Sequence, residues 1–218
     1  MPTMVHSQDI HVLSLLGRMK LPKSALLDVL NKTAGERANV RGTDPKSAAG
    51  YETWRWGTRF LREDAELAEL GWVQCEHGQV EGIRHDELRI KLVICSMDKN
   101  TGNPDPEKMP RNVRERGPAA RKLIERNHGQ MVLGFMEAPS SDPIDDYDFW
   151  YFGVRIGDDF ITAEVSRPDS VTEKFYIEHY SDRIIIAKPG DLDGLRRRDA
   201  IPEDFAAIEK PALRRKTT

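Results

Sequence analysis

At 218 residues, 39% hydrophobic and 32% charged, the chain fits one sizeable, well-solvated domain or a domain with an appendage. A net charge of −3 argues against a globally basic nucleic-acid binder, and two cysteines, Cys75 and Cys95, are too few for a disulfide framework. No apolar run approaches the ~20 residues of a membrane span, and Met1 to Gln8 lacks the pattern of a secretory signal, so a cytoplasmic location is expected.

Residues 8–17 and 22–33 have the spacing of two short helices. The second carries Ala25, Leu26, Val29 and Leu30 on one side, with Pro22 near its start. Gly35 to Ser47 is polar and aperiodic, a connector. Residues 1–43 are therefore expected to form a helical arm and connector, packed on the next helix or docked on a second subunit.

Asp44 to Leu70 reads as one long central helix, capped by Asp44, started by Pro45 and closed by Gly71. Tyr51, Trp54, Leu61, Ala65 and Ala68 share one side at about 100° per residue, and Trp56, Phe60, Leu67 and Leu70 share a roughly opposite one. Two apolar sides predict packing on both, with the tryptophans in the core. Between them runs a stripe of Arg55, Arg59, Arg62, Glu66 and Glu69. Arginines early and glutamates late oppose the helix dipole. Arg62 is expected to pair with Glu66 one turn on, whereas Arg55 and Arg59 have no obvious acid ahead of them.

After Gly71 the period changes to two. Trp72 to Glu76 and Gln79 to His85 predict a hairpin about His77-Gly78, with Leu88 to Cys95 as a neighbouring strand. A loop from Met97 to Pro110 follows, then a short helix from Gly117-Pro118 to about Asn127–Gly129. Met131 to Met136 reads as a strand and Ala138 to Asp148 as an acidic loop. Trp150 to Ile156 and Phe160 to Ser166 form the clearest hairpin, about Gly157-Asp158. Phe175 to Tyr180 and Ile184 to Ala187 suggest a last pair, turned at Ser181-Asp182. The fold class is thus α+β: N-terminal helices including a long central one, then an antiparallel or mixed sheet of hairpins with one further short helix. The core domain spans 44–195 and a basic tail 196–218.

Two arginine groups stand out as phosphate contacts. Arg55 and Arg59 break the charge order of the central helix. Arg111, Arg114 and Arg116 lead into a helix start at Gly117-Pro118-Ala119-Ala120, where unpaired N–H groups and forked guanidinium donors suit an anion. Neither has the spacing of a P-loop or a dinucleotide fingerprint. Cys75, His77, His85 and Cys95 are zinc-ligand types without the paired spacing of a zinc module. Glu81, Asp86, Glu87 and Asp98, with Lys91 between, have the residue types for a metal-assisted phosphodiester cleavage. Glu164 lies on the polar side of its strand, where a solvated face is expected. Ser96 lacks a glycine-flanked elbow, Cys95 ends an apolar strand, and the loop Asp98 to Asn103 is polar enough to line a site.

The chain is therefore expected to bind nucleic acid or another polyphosphate partner through Arg55, Arg59, Arg111, Arg114 and Arg116, with stacking from Trp54 or Trp56 if either ring is reachable. No cofactor is expected under that reading. The alternatives are a nuclease or phosphodiesterase dependent on Mg²⁺, or a non-catalytic protein-binding module or inhibitor that pairs as a homodimer or with another protein. Whether the five arginines line one surface, or are scattered and paired with acids, separates these readings.

Overall fold

The computed structural model describes residues 2–77, 80–132, 147–157 and 160–191. In chain order these form β1 (Met4–His6), α1 (Asp9–Arg18), α2 (Lys23–Arg37), α3 (Ala48–Glu63), α4 (Ala65–Glu69), β2 (Trp72–His77) and β3 (Val80–His85). Then come β4 (Ile90–Ser96), α5 (Pro118–Val132), β5 (Asp148–Ile156), β6 (Ile161–Val171) and β7 (Ile177–Ala187). The chain is α+β, with one mixed sheet in the order β1-β7-β6-β5-β4-β3-β2. None of the described helices is long and apolar enough to cross a membrane.

The sheet is covered on both faces, so its central strands are apolar in both directions. Leu92 and Ile94 of β4 and Trp150, Phe152 and Val154 of β5 pack with Val12, Leu16, Leu26, Leu30 and Leu61 of α1, α2 and α3. The alternate residues Val93, Cys95, Phe149 and Tyr151 pack with Ala120, Leu123 and Ile124 of α5. Antiparallel hairpins join β2 to β3, β3 to β4, β5 to β6 and β6 to β7. Between β4 and β5, which are parallel, the chain crosses over through α5. Asn127 fastens that helix to the sheet: its amide bonds Phe149 N, Phe149 O and Pro168 O at 2.7–3.0 Å.

The helix expected over Asp44 to Leu70 is two helices. Asp64 has extended backbone (φ −69°, ψ 119°), and its carboxylate accepts from Leu67 N at 2.9 Å, so it caps a new helix rather than continuing the old. Asp44 instead accepts from Arg41 N in the connector, and α3 begins only at Ala48. Gly71, at φ +95°, closes α4 as its left-handed conformation allows. The expected packing on two sides does occur, against α2 and against β3 and β4, but Tyr51 and Trp54 stay exposed outside it. Helix α3 buries Thr53, Gly57, Thr58 and Leu61, and at Gly57 it approaches β4 so closely that a Cβ would collide with Ile94 Cδ1. Tyr51 and Trp54 are left 52% and 37% exposed.

Other expectations shift at the C-terminal end. Ser181-Asp182 is no turn: β7 runs straight through it, with Asp182 opposite Arg167 of β6 and Met4 of β1. Pairing along two neighbouring strands outweighs a local turn preference. Helix α5 continues through Met131 and Val132, where a strand was expected. The rest of 131–136, most of the acidic loop and the basic tail lie outside the described residues.

Glu164 is not solvated but fully buried, because the loop after β4 covers that part of the sheet. Its carboxylate takes two bonds from Arg183, at 2.7 and 2.9 Å, one from Ser166 Oγ and one from Gly102 N. Arg183 also donates to Asn103 O and Lys108 O, so one buried ion pair pins the loop against β6 and β7.

Candidate anion-binding trench

Two concavities meet at Trp54 and Glu81, which line both. The first, about 400 Å³, runs along α3 between Tyr51, Arg55, Arg59, Arg62 and Gln74 of β2. The second, about 210 Å³, lies at the start of α5 among Val80, Val93, Arg116, Gly117 to Ala120 and Tyr151. Together they make a trench from the outer surface of α3 to the N-terminus of α5.

The chain before α5 is held rigidly. Asn112, buried, accepts from Ile177 N at 2.7 Å and donates to Arg114 O and Phe175 O. Arg116 N donates to Phe175 O at 3.2 Å, and Phe175 itself sits at φ +59°, a strained conformation for an aromatic residue. The Arg116 side chain is thereby directed inward. Its Nη2 bonds the Cys95 thiol, and its guanidinium carbon lies 5.3 Å from the centre of the Tyr151 ring. Arg116 Nε and Tyr151 Oη are both buried with no hydrogen-bond partner among the described residues.

The charge states are set by this geometry. Burial works against the Arg116 charge, but the neighbouring Cys95 and Tyr151 more than offset it and hold the guanidinium above its ordinary value. Burial pushes the Cys95 thiol and the Tyr151 phenol up, only partly opposed by Arg116. At neutral pH the pocket therefore presents a cation and a neutral phenol, while Cys95 is a protonated, buried thiol unsuited to nucleophilic attack. At the helix start, Pro118 has no N–H, and the first intrahelical bond runs from Arg121 N to Gly117 O. Ala119 N and Ala120 N, in the first turn, have no acceptor among the described residues.

The five arginines fall into four situations. Arg55 and Arg59 flank the Trp56 ring at 4.9 and 5.1 Å and stay about half exposed. Both have acids after all: Arg55 pairs with Glu52 at 3.6 Å and Arg59 with Glu63 at 2.9 Å, one helical turn on. Exposed pairs of this kind contribute about 0–1 kcal/mol, so a phosphate competes readily for either arginine. Arg116 lines the closed end of the same trench. Arg114 is exposed and lines neither concavity. Arg111 belongs elsewhere, to an open groove of about 780 Å³ at the β6–β7 turn. There Arg111 and Lys174 face Asp98, Glu173 and Glu178, and no buried polar atom among the described residues lacks a partner. Despite its size, that groove offers an anion no net attraction. Arg62 does not reach Glu66; it bridges Glu76 and Glu81 and donates to Cys75 O and Gly82 O, tying α3 to β2 and β3. The helix break at Asp64 removes Glu66 from the turn above Arg62.

The other candidate centres are not assembled. Glu81 pairs with Arg62, Asp86 with Arg84 and the Tyr147 hydroxyl, and Glu87 with Lys20, while Asp98 lies at the opposite end of β4. Among the described residues, no three His, Cys, Asp or Glu side chains are placed to hold a metal ion. His85 bonds Leu70 O through Nε2 and accepts from Leu88 N at Nδ1, which leaves neither ring nitrogen for zinc. Sequence reasoning missed Tyr151 and the exposure of Trp54. The signal for Tyr151 was a hydroxyl-bearing ring among Trp150, Phe152 and Val154, on a strand apolar in both directions. No family model matches the chain, and no match to it was found among curated proteins or solved structures.

Proposed function

We propose that this chain binds a phosphate-bearing partner, a nucleic acid strand, along the trench between α3 and the start of α5. Arg55 and Arg59 contact phosphates on the open side, Arg116 and the α5 N-terminus contact them at the closed end, and Trp54 stacks on a base. One observation carries this reading: two donors, Arg116 Nε and Tyr151 Oη, are buried beside a helix N-terminus with no acceptor supplied by the described residues. Leaving such groups unmet costs about 1–3 kcal/mol each, a cost that an anion in the pocket removes. Arg111 is not part of this surface. Cleavage is not included in the proposal, because the acids named for it are dispersed.

The test is fluorescence anisotropy with short single- and double-stranded DNA and RNA, across salt and with or without Mg²⁺. Binding is expected to weaken steeply as salt rises, and Arg59→Gln is expected to reduce the salt slope by about one. Absence of binding at low salt contradicts the proposal and turns attention to Tyr51, Trp54 and Val73 as a protein contact beside the edge strand β2.

A further inference from the structure

We infer that the pocket at Arg116 takes a terminal phosphate, the monoester at one end of an oligonucleotide, rather than a phosphodiester within the strand. This rests on the phosphate-binding reading above and adds which phosphate is held. Three sets of donors at this pocket have no acceptor among the described residues: Arg116 Nε, the Tyr151 hydroxyl, and the Ala119 and Ala120 N–H groups. A monoester carries close to two charges and three unesterified oxygens at neutral pH, one for each set. A diester carries one charge and two such oxygens, and leaves one set unmet.

Size and connection point the same way. The pocket holds about 210 Å³, half the volume of the groove it adjoins. An internal phosphate needs room for two ester substituents to leave, whereas a terminal one needs one exit. Trp54 and Glu81, common to both concavities, mark that exit. A strand leaving there passes the exposed Trp54 ring and then Arg55 and Arg59. Two carboxylates border the site. Glu81 is matched by Arg62 at 3.2 Å, but Glu115 is exposed at the rim and opposes an anion.

The experiment compares one deoxyoligonucleotide with a 5′-phosphate, a 3′-phosphate or neither, with the fluorophore on the opposite end. A phosphate on one end is expected to tighten binding about tenfold, in line with charge-assisted hydrogen bonds. Glu115→Gln should enlarge that gain, Tyr151→Phe should cut it to about threefold, and Arg116→Met should abolish it. Should Arg116→Met fail to fold, Tyr151→Phe and Glu115→Gln still decide the matter. Equal affinity for all three strands overturns the inference while leaving the trench as a phosphate-binding surface. A gain that Tyr151→Phe and Glu115→Gln leave unchanged also overturns it. Failure of every strand to bind at low salt overturns both.

Discussion

Two arginines, Arg116 and Arg183, lie on the α5 face of the sheet, and they differ in what their guanidinium groups still lack. Arg183 has no exposed surface, and Glu164 and the carbonyls of Asn103 and Lys108 fill its donor sites. Arg116 bonds the Cys95 thiol and leaves Nε without a partner among the described residues, beside a tyrosine hydroxyl in the same condition. Burial of charge is common to both. What separates a structural arginine from a binding one is unspent hydrogen-bonding capacity next to a space that a ligand can enter.

The sharpest way to break this comparison is to remove each arginine and measure unfolding in denaturant. Arg183→Met is expected to cost about 3–5 kcal/mol, because it strands the Glu164 carboxylate in the interior. Adding Glu164→Gln should recover a large part of that loss. Equal costs for Arg183→Met and Arg116→Met would erase the distinction drawn between them.

Lys91 is a third buried cation, and its ammonium has no hydrogen-bond partner among the described residues. It is 1% exposed, and its ammonium lies near the Cys75 thiol without a hydrogen bond of normal geometry. Burial holds its pKa below the ordinary lysine value, so the folded state binds fewer protons than the unfolded one. Stability contributed by this position therefore rises with pH between that depressed value and the ordinary lysine range. Lys91→Met is expected to raise stability by about 1–3 kcal/mol at neutral pH and to flatten that rise, as denaturant midpoints across alkaline pH would reveal.

Smaller effects sharpen the account of the trench. Tyr151→Phe removes a hydroxyl that has no partner among the described residues, so stability should hold within about 1 kcal/mol or improve while strand binding weakens. Arg59→Gln breaks an exposed pair with Glu63 and should change stability by only about 0.3–0.5 kcal/mol, with its main effect on binding. A large loss of stability in either variant would make the residue structural.

The parts of this architecture that depend on nearby residues were legible. Period 3.6 marked α1 and α2, period 2 marked the β2–β3 and β5–β6 hairpins, and the helix start after Arg116 lay where Gly117-Pro118 placed it. Features that depend on distant partners were not. Glu164 alternates with Ala163 and Val165 as a solvated residue does, and only the return of Arg183 and the loop at Gly102 makes its position interior. Ser181-Asp182 carries turn chemistry that two neighbouring strands override. The split at Asp64 and the Arg59–Glu63 pair were local and open to a closer reading: an aspartate three residues before Leu67 is a cap, and a glutamate one turn on is a partner. Of the five arginines, the structure brings Arg55, Arg59 and Arg116 to one trench and leaves Arg111 in another groove. Tyr151 joins them through the parallel pairing of β4 and β5, which places it beside Val93.

The most direct test follows the two guanidinium groups themselves. Arginine Nε–H resonances, recorded by ¹H–¹⁵N correlation, are titrated with a short phosphorylated oligonucleotide at low salt. The account predicts that the Arg116 signal shifts on binding while the Arg183 signal, already bonded to Glu164, stays in place. An Arg116 resonance that does not move under saturating ligand, or one that moves together with that of Arg183, would contradict it.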